Sequence, residues 1–193
     1  MQSNGVECCA KHFIGHGSPL AGLNHNEVMI GPRRLRDVDT LPFRAAIHEA
    51  GLTTVMNAYH ELDGLPCGGS PEILTALLRD ELGLGDDGLV VADYYAVDDL
   101  EGFHHVAADK PEAARLALTA GLDVELPKYD YYATLADQVR SGDLDEAVVD
   151  RSVRRVLRQK ARLGLFENPF VDVRKVSMAM NTPDDIALAR RAA

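Results

Sequence analysis

The chain predicts an α/β fold assembled from parallel βα units, and three observations predict it. Short apolar runs alternate four times with helix-forming segments, the helical segments carry start or stop signals, and the runs meet polar clusters. The first run, Val6 to Ala10, leads into Lys11, His12 and Phe13. A helix follows over 41–50, where apolar residues recur at helical spacing until Gly51 stops them. The second run, Thr53 to Met56, leads into Asn57, Tyr59, His60 and Glu61. Ser70 as N-cap and Pro71 in the first turn open the next helix, and Gly83 closes it. The third run is GLVVADYY at 88–95: Leu89, Val90, Val91 and Ala92 suit a strand covered on both faces, and Asp93 sits where it leaves the core. A helix over 111–120 ends before Gly121. The fourth run, Leu122 to Leu126, carries Asp123 and Glu125 and meets Pro127 and Lys128. Asp143 with Glu146 reads as a variant capping box for a last helix through Leu163, stopped by Gly164.

Composition narrows the function. Of 193 residues 46% are hydrophobic, yet no apolar run approaches the ~20 residues of a membrane span. The opening MQSNGVECC has no basic and then apolar leader, so a cytoplasmic protein is expected. Net charge is −10, and the one basic cluster is Arg33, Arg34 and Arg36, which argues against nucleic acid or anionic membrane as partners and leaves neutral sugars compatible. Cys8, Cys9 and Cys67 lack metal spacing. Neighbouring cysteines on a strand point to opposite faces, so Cys8 and Cys9 are expected as small core residues rather than a redox pair. The letters GLGDDG at 83–88 fit GxGxxG but precede a strand, and Asp86 and Asp87 would repel a pyrophosphate. His12 and His16 are four apart, a spacing that brings imidazoles together on a helix, but Gly15, Gly17 and Pro19 make the segment a loop. Neither a cofactor nor a metal is therefore expected, and a metal-dependent barrel hydrolase is the weaker enzymatic alternative.

A lone strand-end aspartate more often caps a turn than attacks a substrate. The rest of the chain bears on that choice. KHFIGHG at 11–17, AGLTTVMNAYHELDGLPC at 50–67, SPEILTALLRDELG at 70–83, GLVVADYYAV at 88–97, AGLDVELP at 120–127 and LGLFENPFVD at 163–172 stand in one order. Together they resemble glycoside hydrolase family 3, and within it the two-domain β-glucosidases and β-xylosidases. The resemblance implies a partial TIM (β/α)8 barrel, roughly the last four βα units, followed by a linker helix. A whole barrel takes about 250 residues. Residues 1–172 are accordingly expected as the C-terminal half of the barrel, and 173–193 as a linker and the start of a missing second domain. Half a barrel would leave open strand edges prone to self-association.

The implied activity is a retaining glycoside hydrolase acting on terminal non-reducing β-D-glycosyl residues of β-linked oligosaccharides or aryl β-glycosides. Retention needs one carboxylate to attack the anomeric carbon and an acid about 5 to 5.5 Å away to protonate the leaving oxygen. Asp93 resembles the nucleophile. Lys11 and His12 match a pair that binds sugar hydroxyls, which suits a three-donor ammonium beside an imidazole. Met56 and Tyr59 match residues lining the sugar site, and Tyr94 stands where relatives often carry Trp against the leaving group. The acid is expected from the second domain. Glu125 is read as a structural link to Lys128 or a backbone amide, Glu61 as a solvated charge, and Asp63 as part of a loop. In a single-domain branch, the β-N-acetylglucosaminidases, a histidine in an Asp-Ser-His loop serves as acid. The counterpart here is Leu23, Asn24 and His25, which lacks the aspartate that would orient the ring, so His25 is read as loop structure or outer lining. Ala92 replaces the serine that usually precedes the nucleophile. Two alternatives stay open: a non-catalytic half-barrel needing a complementary chain, and β-xylosidase or β-N-acetylglucosaminidase specificity.

Overall fold

Aliphatic runs bounded by helix stops give a parallel sheet in the computed structural model, which describes residues 2–176 and 180–193. The strands are β1 (Cys9–Phe13), β2 (Thr54–Asn57), β3 (Glu61–Leu62), β4 (Leu65–Pro66) and β5 (Leu89–Val91). β1, β2 and β5 are adjacent and parallel in that order, with Cys9 beside Thr54 and Thr54 beside Leu89. The fourth run joins the sheet as a parallel bridge between Val91 and Val124, where the Ala92 amide donates to the Val124 carbonyl at 2.8 Å and the Asp123 amide to that of Val90 at 2.8 Å. Strand–helix alternation thus places successive units side by side, as βα connections require.

β1 lies three residues later than its apolar run suggests, so Lys11 and His12 are inside the strand rather than after it. The reason is packing: Phe13 and Ile14 are fully buried, and the Phe13 carbonyl accepts from the Ala58 amide at 2.7 Å. Cys8 is half-buried against the core, but Cys9 is exposed at the start of β1 and is not the core residue expected; all three cysteines are free.

The helices fall where their signals stand. Leu41–His48 precedes Gly51. Glu72–Glu81, wound in the wider π pattern, follows Ser70, whose hydroxyl accepts from the Ile73 amide at 3.3 Å. It buries Ile73, Leu74, Leu77 and Leu78 at helical spacing. Lys110–Ala120 is capped by Asp109 and ends at Gly121, whose φ of 110° any side chain would resist. Glu146–Arg162 starts from Asp145, whose carboxylate accepts from the Ala147 amide at 2.9 Å. Asp143, expected in that capping role, instead accepts from the Ser141 hydroxyl at 2.6 Å. Helices Asp98–Gly102 and Leu135–Ser141 and the β3/β4 hairpin were not anticipated. Asp63 and Gly64 turn the hairpin with positive φ at both positions.

A buried polar knot ties the sheet to its helices at the end where the fourth run begins. Asp123 accepts on one oxygen from Arg79 at 2.8 Å and the Val90 amide at 2.9 Å, and on the other from Ser152 at 2.7 Å and Arg155 at 2.9 Å. Arg79 further donates to the carbonyls of Gly85 (3.0 Å), Gly88 (2.7 Å) and Gly121 (3.0 Å). Burial works against the Arg79 charge, and Asp123 opposes that effect.

The chain forms two compact units, Met1–Gln159 and Lys160–Ala193. In the second, the helix Pro183–Ala192 is closed at its start by a capping box between Thr182 and Asp185. No helix among the described residues is long and apolar enough to cross a membrane.

Candidate active site

Because β1, β2 and β5 run in parallel, their trailing ends share one edge of the sheet, where a barrel enzyme builds its site. β1 brings Lys11 and His12, β2 brings Met56 and Asn57, and the turn after β5 brings Asp93 and Tyr94. The Lys11–His12 and Phe13–Ile14 peptides here are cis.

Asp93 caps the turn that follows it with one oxygen and meets a histidine of β1 with the other. Oδ1 accepts from the Tyr94 amide at 2.8 Å, which is a turn cap, while Oδ2 stands 3.0 Å from His12 Nε2. Its amide donates to Asn57 Oδ1 at 3.1 Å, and Asn57, fully buried, spends its own amide on the Ala58 carbonyl at 2.7 Å. Asn57 therefore braces the aspartate from the neighbouring strand. Gly68 makes room for it, since a Cβ there would stand 3.1 Å from Asn57 Nδ2.

His12 packs its ring against His16 with centroids 4.3 Å apart. Burial chiefly, then His16, and also Lys11 lower the His12 pKa, while Asp93 pulls it the other way. A neutral ring donating from Nε2 to the carboxylate fits this balance. Contrary to the reading that only a helix would join His12 and His16, the turn after β1 brings the two imidazoles into contact. Among the described residues no group of three His, Cys, Asp or Glu side chains is arranged to hold a metal.

The remaining candidates lie in contact. Lys11 Nζ is 3.8 Å from Met56 Sδ, and the Tyr59 hydroxyl donates to the Tyr94 carbonyl at 2.8 Å. Burial first, and the nearby Asp93 carboxylate second, push the Tyr59 phenol up. Tyr94 is 55% exposed, a ring available at the rim. All six candidates, Lys11, His12, Met56, Tyr59, Asp93 and Tyr94, thus belong to this edge.

Glu125 takes the backbone-amide alternative: it accepts from Asp130 at 3.2 Å, Tyr131 at 3.0 Å and Tyr132 at 2.7 Å, while Lys128 lies over the Tyr95 ring at 5.4 Å. Two readings need correction. Glu61 is no free solvated charge; its Oε1 is 3.0 Å from His104 Nδ1. His25 does have a carboxylate beside it: Nε2 is 3.4 Å from Asp99 Oδ2, and the ring stacks on Tyr59 at 4.4 Å. That carboxylate comes from the segment after β5 rather than from the preceding residues, which is why local sequence does not reveal it. Asn57, Asp99 and His104 were not singled out for the site beforehand, and only Asn57, at a strand end, carries a positional signal.

The arrangement can present an ionised carboxylate to an electrophilic carbon and surround it with hydroxyl-binding donors. The family model described as Glycosyl hydrolase family 3 N terminal domain matches residues 1–159. A β-glucosidase structure from Erythrobacter marinus superposes with a TM-score of 0.92 at 37% identity, covering 96% of this chain and 24% of that one. The lysosomal beta glucosidase of Dictyostelium discoideum is 38% identical over 165 residues, 84% of this chain and 20% of that protein. A beta-xylosidase of Formosa agariphila is 37% identical over 172 residues, 85% of this chain and 23% of that protein. The chain spans about a fifth to a quarter of the length of the curated relatives it matches.

Proposed function

Because this chain belongs to glycosyl hydrolase family 3, we propose that it carries the nucleophile and part of the sugar site of a retaining β-glycosidase. The observation that supports this best is Asp93, pinned by one oxygen to the Tyr94 amide and facing His12 with the other. In this reading the carboxylate attacks the anomeric carbon as the bond to the leaving oxygen breaks, and that oxygen takes a proton from an acid. Water then hydrolyses the glycosyl ester. Lys11 and His12 hold sugar hydroxyls, Met56 and Tyr59 line the ring, and Tyr94 faces the leaving group. The substrate is a terminal non-reducing β-D-glucosyl or xylosyl unit of an oligosaccharide or aryl glycoside.

The same reading makes the sheet the later strands of a (β/α)8 barrel. Its support is the parallel order of successive units and the position of β1, which has no strand on its outer side among the described residues. The proton donor is then contributed by another part of a family 3 enzyme, and the chain alone turns over little substrate and self-associates through its open edges. A 2-fluoro glycosyl fluoride tests the assignment, because fluoride leaves without needing an acid. Supplied to the chain, alone or with a complementary family 3 portion as a second polypeptide, the reagent should esterify Asp93, and mass mapping to any other residue would overturn the reading. A monodisperse chain hydrolysing aryl β-glucosides at an ordinary enzyme rate would overturn the dependence on a second portion.

A further inference from the structure

His104 lies outside the sugar site and is almost wholly enclosed, with 2% of its side chain exposed. Both of its ring nitrogens face acceptors: Nδ1 stands 3.0 Å from Glu61 Oε1 and Nε2 stands 2.9 Å from the Tyr59 carbonyl. A neutral imidazole donates through one nitrogen only. Satisfying both contacts with an ionised Glu61 therefore takes the doubly protonated ring, whose charge the Glu61 carboxylate balances. Other groups face the ring too. Asp99, on the helix Asp98–Gly102, and His60 stand near it, and the Phe103 ring meets His104 edge-on at 5.1 Å.

The residue so held is Tyr59. Its carbonyl accepts a hydrogen bond from His104 Nε2, its hydroxyl donates to the Tyr94 carbonyl, and its ring face is covered by His25. Tyr59 is thus held by one contact to its main chain and two to its side chain, and misplacement by an ångström beside a nucleophile can cost about a hundredfold in rate. We propose that His104, paired with Glu61, is a positioning residue for Tyr59, a doubly donating imidazole that sets where the tyrosine ring stands beside Asp93. The kinetic consequence rests on the glycosidase reading above; the hydrogen-bond arrangement does not.

Histidine-selective 15N NMR of the chain at neutral pH tests the arrangement, with the His104 signals assigned by their loss in His104→Gln. Two ring N–H groups are expected in the wild type and one in Glu61→Gln, which removes the balancing charge. A single N–H in the wild type overturns the proposal. Positioning is read on the Tyr59 ring resonances, assigned with Tyr59→Phe. They should be one sharp set in the wild type, broadened or doubled in His104→Leu, and largely restored in His104→Gln, which keeps one donor. Identical Tyr59 signals in all three proteins overturn it as well, and should His104→Leu not fold, the N–H count of the wild type remains the deciding measurement. With the chain assembled into an active enzyme, His104→Leu should raise KM for an aryl β-glucoside about tenfold, as loss of a hydrogen bond to a charged donor would. Absence of turnover by the wild-type assembly would count against the glycosidase reading alone, because the NMR result stands without it.

Discussion

Two aspartates on neighbouring strands have opposite fates. Val91 and Val124 form the bridge between those strands; Asp123 comes one residue before it and Asp93 two residues after, so they mark opposite ends of the sheet. Asp123 is sealed, with no side-chain exposure, and its two oxygens are filled by two arginines, a serine and an amide. Asp93 keeps 13% of its side chain open and shares one oxygen with an imidazole. A carboxylate whose acceptor capacity is saturated in the interior is scaffold, and one left partly unspent at the open end can do chemistry. The sign and strength of the charge are the same; the number of donors already committed to it differs.

The largest expected effect is on Asp93. With the chain assembled into an active enzyme, Asp93→Asn should lower turnover by roughly 10⁴-fold or more, the scale on which loss of a nucleophile acts. Its denaturant midpoint should move by less than about 1 kcal/mol in unfolding free energy. Asp123→Asn should do the reverse, costing about 3 to 5 kcal/mol of stability because Arg79 and Arg155 lose their shared counter-charge in the interior. A loss below about 1 kcal/mol in urea unfolding would erase the contrast between the two ends. Next come Lys11→Ala and His12→Ala, each expected to cost roughly 1.5 to 3 kcal/mol in transition-state binding. Unchanged kcat/KM in both would remove them from the sugar site.

The smallest effect concerns a buried histidine. His60 is buried, gives Nε2 to the Ile14 carbonyl at 2.8 Å and leaves Nδ1 without a partner, so burial chiefly lowers its pKa while the Ile14 bond opposes. The stability that the neutral ring contributes is therefore complete above the ordinary histidine pKa of about 6.5 and is lost as pH falls through the lower folded value. Urea midpoints should drop on acidification below neutrality, and less steeply in His60→Asn. Parallel slopes in the two proteins would show that this ring does not couple to folding.

Much of the scaffold was legible because its signals are local. Gly51, Gly83, Gly121 and Gly164 were readable as stops, and each has positive φ, at 64°, 80°, 110° and 67°. The Asp63–Gly64 hairpin carried an equally plain signal that the strand-and-helix reading passed over. Asp143 and Asp145 both precede the last long helix, and composition alone does not separate the cap from its neighbour. Apolar runs drew attention to the polar residues beside them, and the resemblance supplied the roles expected of Lys11, His12, Tyr59 and Asp93, but the contacts around these residues join positions far apart in the chain. Asn57 is 36 residues from Asp93, and Glu61 is 43 from His104. No periodicity within one element encodes such a pairing. It exists only once the sheet has set the register of its strands.

Arg79 reaches three glycine carbonyls and Asp123, so one guanidinium fastens the helix that bears it, the 83–88 loop ahead of β5 and the start of the fourth run. Such a clasp makes opening collective. The amides around it should exchange their hydrogens with solvent as a single block at one shared free energy, while residues at the other end of the sheet can breathe separately. The Asp93 edge can then flex without loosening the end that keeps the strands together.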